Sequence, residues 1–172
     1  LPAGESLVRQ ILHGTRFLQE EFGMRVRHIW LPDVFGYSAA LPQIMRGCNI
    51  PVFMTTKISW NQFNRMPCDP FRWRGIDGSE VLTHFITAPD LYTTTTYYTY
   101  NGPARPNDMS GTWSNYRQQD INEHLLYLAG WGDGGGGPTE EQLERIEIMG
   151  DLPSFPQVHF GRADMFFTEL YE

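Results

Sequence analysis

The chain has 172 residues, of which 41% are hydrophobic and 14% aromatic, enough to bury one hydrophobic core. Thirteen Lys and Arg against 20 Asp and Glu give a net charge of −7, which argues against binding to nucleic acid or to anionic membranes. No apolar run is long enough to predict a membrane span, and no signal peptide is recognisable.

The cysteines and the chain ends give two further expectations. Cys48 and Cys68 lack C-x-x-C spacing and are too few for a disulfide scaffold, so we interpret both as reduced, which favours a cytoplasmic location. Because the sequence starts at Leu1 and ends without a polar tail, we expect it to be an internal piece of a longer protein.

The first third of the sequence predicts a helix followed by a β-α-β unit. Apolar residues recur at helical spacing over residues 5–22, and Gly23 suits a helix C-cap. Residues 25–30 and 52–56 are rich in strand formers, and a short helix capped by Ser38 is predicted over 38–46. This order implies parallel pairing of the two strands with a right-handed crossover.

The middle of the sequence predicts a hairpin and then a loop. Residues 71–74 and 80–85 flank an Asp-Gly turn, which is typical of two antiparallel strands. The Thr- and Tyr-rich segment 93–100 is followed at once by turn residues, so we predict an ordered loop with a short strand.

The last third alternates between helical and strand patterns. Thr139 and Gln142 form a capping-box pattern that predicts a helix ending at Gly150. The other predicted elements are helices over 114–123 and 163–171 and strands over 125–129 and 157–160. The alternation indicates an α/β fold with a mainly parallel sheet, in a single domain over residues 1–172.

A carboxylate directly follows the first predicted strand. Pro32 cannot donate to a strand ladder and Gly36 allows a tight turn, so Asp33 is predicted to lie just past the C-terminal end of that strand. Folds of the α/β class place their chemistry there. On this pattern alone, an Asp that merely caps a turn is the commoner interpretation.

A second carboxylate, Asp133, lies in the glycine-rich stretch 132–138. The Lys and Ser/Thr of a phosphate-binding P-loop are missing, so phosphate binding is not predicted. A purely flexible loop is an alternative, since consecutive glycines are mobile as well as able to bring the backbone close to a ligand.

Four motifs carry a resemblance to a known enzyme family. They are HIWLPDVFGYS at 28–38, PVFMTTKISWNQ at 51–62, FRWRGIDGSEVLTHF at 71–85 and GWGDGGGGPT at 130–139. In this order and spacing the chain resembles glycoside hydrolase family 38, the α-mannosidases of the bacterial and cytosolic type. The resemblance implies an internal part of the N-terminal catalytic domain, folded as part of a distorted seven-stranded parallel β/α barrel.

The resemblance implies a retaining α-mannosidase that hydrolyses terminal α-mannosyl residues of glycans. Retaining glycosidases use two carboxyl groups about 5 Å apart, one as nucleophile and one as acid and base. By resemblance, Asp33 is the nucleophile and a zinc ligand, and Asp133 is the general acid/base. The resemblance is also compatible with a homo-oligomer of the longer enzyme.

Four further residues are expected by resemblance to bind substrate. Phe35 and Lys57 correspond to an aromatic wall and a cation beside the sugar, and His84 and Tyr92 fall near the sugar-facing loop. Their alternatives are core packing for Phe35, a solvated charge at a strand end for Lys57 and a structural role for His84.

The zinc site implied by the resemblance is incomplete in this sequence. The family takes ligands from a His-x-Asp motif, yet none of the five histidines has an Asp two residues on. We therefore expect one zinc ion in the full-length enzyme, with Asp33 as the ligand from this chain. Two alternatives stay open: a non-catalytic carbohydrate-binding or structural fragment, and a metal-dependent carbohydrate deacetylase on a related barrel.

Overall fold

The computed structural model describes residues 2–61, 63–90 and 97–171. Within these ranges, helices and strands alternate over the first third of the chain, and a run of strands and then a run of helices follow. In chain order they are α1 (Gly4–Phe22), β1 (His28–Trp30), α2 (Leu41–Gly47), β2 (Val52–Thr55), a 3₁₀ turn (Lys57–Ser59), β3 (Pro70–Arg74), β4 (Glu80–Phe85), β5 (Ala88–Pro89), β6 (Tyr98–Thr99), α3 (Pro106–Asn115), α4 (Glu140–Gly150) and α5 (Ala163–Tyr171).

The main sheet has four strands in the order β1-β2-β4-β3. β1 pairs with β2 and β2 with β4 in parallel, whereas β3 closes the edge as the antiparallel arm of a hairpin with β4. The carboxyl ends of β1, β2 and β4 therefore meet at one edge of the sheet. β5 and β6 form a separate antiparallel pair.

Strand β2 is central, and all four of its residues are buried. Val52 and Met54 contribute to a cluster that includes Phe166 and Phe167 of α5, while Phe53 packs on the opposite face with residues of α1 and α2. Side chains alternate between the faces of a strand, so a continuously apolar β2 is covered on both sides.

A third cluster lies outside the main sheet and joins α3 to α4. It is formed by Ala104, Met109, Ile146 and Met149, with Tyr127 and Ala129 packed against it. The second half of the chain thus has its own small core, which supports the segment that contains Asp133.

The predictions for the first half of the chain are largely confirmed. α1 ends at Gly23 in the left-handed conformation, with φ of 65°. The parallel β1–β2 pair and the β3–β4 hairpin both form. α2 starts at Leu41 rather than at Ser38, because the Ser38 hydroxyl accepts from the Ala40 amide in the turn that precedes the helix.

Three predictions for the second half are wrong. The predicted helix over 114–123 is instead α3, which starts with Pro106 at its first position and with the Asp108 carboxylate accepting from the Arg105 amide at 2.7 Å. Residues 125–129 and 157–160 do not form strands of either sheet. Ala129 makes an isolated parallel bridge to Gly102, and the neighbouring apolar side chains pack into the cores.

The two C-terminal helices are confirmed. Thr139 Oγ1 accepts from the Gln142 amide at 3.3 Å, and Gln142 Oε1 accepts from the Thr139 amide at 3.1 Å, so the capping box starts α4 as expected. The fold is mixed α/β with a parallel-containing sheet. The complete seven-stranded barrel stays a prediction for the longer protein.

Cys48 and Cys68 are both half-buried and are not bonded to each other. Of the helices in the described ranges, none is both long and apolar enough to cross a membrane.

Candidate active site

Two neighbouring parallel strands bring Asp33 and Lys57 together. The β1–β2 pairing continues past the strands, since the Leu31 amide donates to the Met54 carbonyl and the Lys57 amide to the Pro32 carbonyl, both at 3.0 Å. Pro32 has no amide proton to offer, yet its carbonyl is used in this way. The two loops are therefore fixed side by side at the carboxyl edge of the sheet.

The side chains of Asp33 and Lys57 form an ion pair, with Nζ 2.9 Å from Oδ1. The side chain of Lys57 is 15% exposed and that of Asp33 37%. Oδ1 itself is buried and has no hydrogen-bond donor in suitable geometry among the described residues. The ammonium therefore balances the carboxylate charge through its proximity, while the carboxylate keeps free hydrogen-bonding capacity.

Two aromatic rings face the same ammonium. Lys57 Nζ lies 5.3 Å from the centroid of Phe35 and 3.9 Å from that of Trp60, both within the range of cation–π attraction. Phe35 is 76% exposed, so the core-packing alternative for this residue is wrong. Lys57 is not the solvated strand-end charge of the other alternative, since it is mostly covered and paired with Asp33.

Trp60 belongs to this group although no motif predicts a role for it. Its spacing from Lys57 is the one feature of the sequence that hints at the contact. Lys57 and Trp60 are three residues apart, and the 3₁₀ turn Lys57–Ser59 places positions i and i+3 above one another. A Lys-x-x-Trp spacing alone also fits a helix or a loop, so the contact depends on the turn.

Tyr37 ties the Asp33 loop to the end of strand β2. Its hydroxyl donates to the Leu31 carbonyl at 2.8 Å and lies 2.5 Å from Thr55 Oγ1, which joins the loop after β1 to the end of β2. Burial raises the pKa of Tyr37, the hydrogen bond to Thr55 opposes this shift and the charge of Asp33 adds to it. The neutral phenol therefore stays a hydrogen-bond donor to the loop.

Asp133 lies on a turn that is defined by backbone hydrogen bonds within residues 130–136 and to Gly102. The Gly130 amide donates to Gly102, the Trp131 amide to Gly136 and the Gly135 amide to Gly132, at 2.9–3.0 Å. Asp133 is exposed and has a left-handed backbone, with φ of 54°. The stretch thus has a defined, hydrogen-bonded conformation, unlike the purely flexible loop of the alternative.

Tyr100 is the partner of Asp133. The Asp133 amide donates to the Tyr100 hydroxyl at 3.0 Å, and that hydroxyl donates to Asp133 Oδ1 at 3.4 Å. A Cβ on Gly132 would lie 2.7 Å from the Tyr100 hydroxyl oxygen, so a larger residue there would displace the tyrosine. Gly132 is needed for this close approach.

One short segment connects the two aspartate sites. The Trp60 indole nitrogen donates to the Tyr98 carbonyl, and the indole ring stacks on Tyr97 at 5.3 Å between centroids with 15° between planes. Tyr100, which binds Asp133, follows two residues later. Residues 97–100 therefore contact both the Trp60 side of the Asp33 group and the loop of Asp133.

His84 lies apart from this group. It is 1% exposed on β4 and packs against Phe166 and Phe167, with centroids at 5.0 and 6.3 Å. Burial lowers its pKa to about 3, so the ring is neutral near pH 7. This position favours the structural alternative over substrate binding. Tyr92, the other substrate-binding prediction, falls outside the described residues.

The described residues do not fit a complete zinc site. The Asp33 carboxylate has the chemistry of one ligand position, but its buried Oδ1 already lies 2.9 Å from the Lys57 ammonium. However, three or more His, Cys, Asp or Glu side chains do not gather anywhere in the described part of the chain. Zinc sites need three or four protein ligands, so this set of residues supplies one donor only.

Comparisons with known proteins support the family. The sequence model of the Glycosyl hydrolases family 38 N-terminal domain matches residues 1–172. Alpha-mannosidase G of Dictyostelium discoideum is 44% identical over 170 residues, which are 99% of this chain and 15% of that protein. Alpha-mannosidase 2C1 of Mus musculus is 41% identical, covering 99% of this chain and 16% of that protein.

A solved structure shares the fold. The crystal structure of an alpha-mannosidase from Enterococcus faecalis V583 matches with a TM-score of 0.64 at 16% identity, over 98% of this chain and 19% of that one. The chain thus spans less than one fifth of the proteins to which it is similar. Since the family model covers its whole length, the chain belongs to glycosyl hydrolase family 38, within the N-terminal domain.

Proposed function

We propose that the full-length protein is a retaining α-mannosidase that removes terminal α-mannosyl residues from glycans, with Asp33 as nucleophile and Asp133 as acid/base. The observation that carries this proposal is the Asp33–Lys57 ion pair at the carboxyl edge of a parallel sheet, beside exposed aromatic rings, in a family 38 chain. The relatives compared above are named alpha-mannosidases, which supports the substrate class.

The position of Asp33 supports its proposed role as nucleophile. Its loop is tied to the sheet, and Lys57 fixes one carboxylate oxygen at 2.9 Å. The other oxygen, Oδ2, is then the one that attacks the anomeric carbon and displaces the leaving oxygen, forming a glycosyl ester. Phe35 offers an apolar surface for the pyranose ring, and Lys57 a cation for its hydroxyls.

The position of Asp133 supports its proposed role as acid/base. It is exposed on its turn, and Tyr100 holds its backbone and one carboxylate oxygen. The carboxyl group first protonates the leaving oxygen and, as carboxylate, then takes a proton from the water that hydrolyses the ester. Its connection to the Asp33 group through residues 97–100 supports one shared site.

Further parts of the proposal concern the longer protein. A zinc ion would take Asp33 as its one ligand from this chain, and no step described above depends on it. The seven-stranded barrel is proposed on the family resemblance and a cytoplasmic location on the two reduced cysteines, and the longer enzyme could also form a homo-oligomer.

Replacement of the nucleophile tests the proposal. In the full-length protein, Asp33→Ala should lower kcat on an aryl α-mannoside by roughly 10⁴-fold or more, since loss of a nucleophile has effects of that order. Added azide should restore turnover and give a glycosyl azide of inverted configuration. The matched control is Asp151→Ala, an exposed residue at the end of α4, which should keep the parent rate.

Two outcomes would contradict the proposal. If Asp33→Ala keeps the parent rate, the nucleophile is another residue. If the parent protein binds mannosides without turnover, the non-catalytic carbohydrate-binding alternative is correct instead.

A further inference from the structure

Lys57 has a flexible four-carbon side chain, and its position against Asp33 needs a cause. An ion pair with a partly exposed carboxylate is too weak to fix such a side chain, because solvent screens the attraction and ordering the lysine costs entropy. Phe35 is 5.3 Å from the ammonium and mostly exposed, so it contributes little. The Trp60 ring, at 3.9 Å, is the closer aromatic surface.

We propose that Trp60 is a positioning residue that holds the Lys57 ammonium against Asp33 through its indole face. The inference rests on the proposed α-mannosidase function, and it assigns Trp60 to substrate binding through Lys57. Among aromatic side chains, indole attracts cations most strongly, and 3.9 Å is well inside the distance of about 6 Å at which this attraction acts.

The indole is itself held in place on two sides. Its Nε1–H donates to the Tyr98 carbonyl, and its ring stacks on Tyr97. The Trp60 amide donates to the Lys57 carbonyl at 3.0 Å, which closes the 3₁₀ turn and keeps both side chains on one side of it. A ring fixed in this way limits where the ammonium can lie.

The contacts of the ammonium leave one direction open. An ammonium group has three N–H donors. The ion pair with Asp33 lacks hydrogen-bond geometry, so an N–H that does not face the indole can donate to a sugar hydroxyl, a charge-assisted bond that a neutral residue would not provide. Loss of Trp60 should therefore weaken the interaction with substrate through Lys57, and should do so much less when Lys57 is absent.

A double-mutant cycle in the full-length protein tests the inference. Trp60→Leu should lower kcat/KM for an aryl α-mannoside roughly 3- to 30-fold, the range expected for a cation–π contact. Trp60→Phe keeps an aromatic face and should stay within about 3-fold of the parent. In a Lys57→Met background, Trp60→Leu should cause little further loss, because the two residues act as one unit.

A second measurement does not depend on activity. Lys57 should react several-fold faster with an amine-modifying reagent in Trp60→Leu than in the parent, as read by mass spectrometry, and Trp60→Phe should lie near the parent. Trp113→Leu, the same chemical change on α3, should leave both the kinetics and Lys57 labelling unchanged.

The outcomes separate this inference from the proposed function. Equal losses from Trp60→Leu with and without Lys57, or unchanged Lys57 labelling, would overturn it. If Trp60→Leu fails to fold, Trp60→Met, which keeps an apolar side chain without an aromatic face, provides the same comparison in both backgrounds. Faster labelling in a protein without mannosidase activity would support the positioning role and reject the function.

Discussion

Asp33 and Asp133 are held by different kinds of structure. Asp33 follows the half-buried parallel strand β1, and the neighbouring buried strand β2 leads to the lysine that balances its charge. Asp133 is exposed on a glycine-rich turn with a left-handed backbone, and its side-chain partner, Tyr100, lies 33 residues earlier in the chain. The position of Asp33 is thus set by the strands of the sheet, whereas that of Asp133 is set by contacts between loops.

This difference fits the two proposed roles. A nucleophile must meet one carbon atom at a fixed distance, which a loop tied to a sheet provides. An acid/base gives a proton to one oxygen and takes a proton from water at another step, so an exposed carboxyl group held by a tyrosine suits it. The predictions below test this division between the sheet site and the loop site.

The largest expected effect concerns leaving groups. Asp133→Asn removes the proton donor and should lower kcat/KM about 10²- to 10⁴-fold on a mannoside with a poor leaving group such as an alkyl alcohol. The loss should be much smaller with a nitrophenyl mannoside, which departs without protonation. Asp33→Ala should lose activity on both substrates alike.

These two substrates decide between the roles. If Asp133→Asn loses the same factor on both, Asp133 is not the general acid, and the contrast between the two aspartates would disappear.

A smaller effect is expected from the turn itself. Gly132→Ala places a Cβ 2.7 Å from the Tyr100 hydroxyl and 3.2 Å from Asn101 Oδ1, so Tyr100 must move and Asp133 with it. A displacement near 1 Å lowers activity by up to about 10²-fold. In Gly137→Ala the added Cβ meets nothing within 4 Å, so this variant should stay near the parent. Equal kcat values for the two variants would show that Tyr100 does not position Asp133.

The sheet site was predictable because its parts are close in sequence. Strand-forming residues, Pro32 and Gly36 lie within a few positions of Asp33, and a β-α-β unit brings Lys57 to the adjacent strand end. Trp60 was missed, because tryptophan commonly just packs and the 3₁₀ turn that directs it has no unique sequence pattern, and so was the Tyr37–Thr55 contact that ties the Asp33 loop to β2.

The loop site was less predictable because its contacts are distant in sequence. Nothing near Asp133 indicates that Tyr100 binds it, and the Gly102–Ala129 bridge replaces a strand that was predicted over 125–129. The helix boundary was also misplaced, since Pro106 and Asp108 start α3 earlier than its apolar residues suggest. Tertiary contacts decided these elements, and local pattern did not.

The smallest expected effect is a pH dependence of stability that arises from histidines of the main sheet. Burial lowers the pKa of His84 from 6.5 to about 3, so below pH 6.5 the unfolded chain binds a proton that the folded chain does not. The free energy of unfolding should fall by up to about 1.4 kcal/mol per pH unit below 6.5, and should be insensitive to this group above it. His28, which packs on the same Phe167 ring at 5.1 Å, has its pKa lowered by burial too and adds to the loss.

The measurement compares thermal unfolding of the full-length protein at about pH 7 and pH 5. His84→Leu should reduce the difference in Tm between these pH values, because it removes a buried imidazole whose Nδ1 has no partner among the described residues. His124→Leu, a change at an exposed histidine beyond α3, should leave the difference as in the parent. If the Tm of His84→Leu and that of the parent fall equally on acidification, His84 is not the cause of the acid sensitivity. The stability of the main sheet then does not depend on a neutral His84.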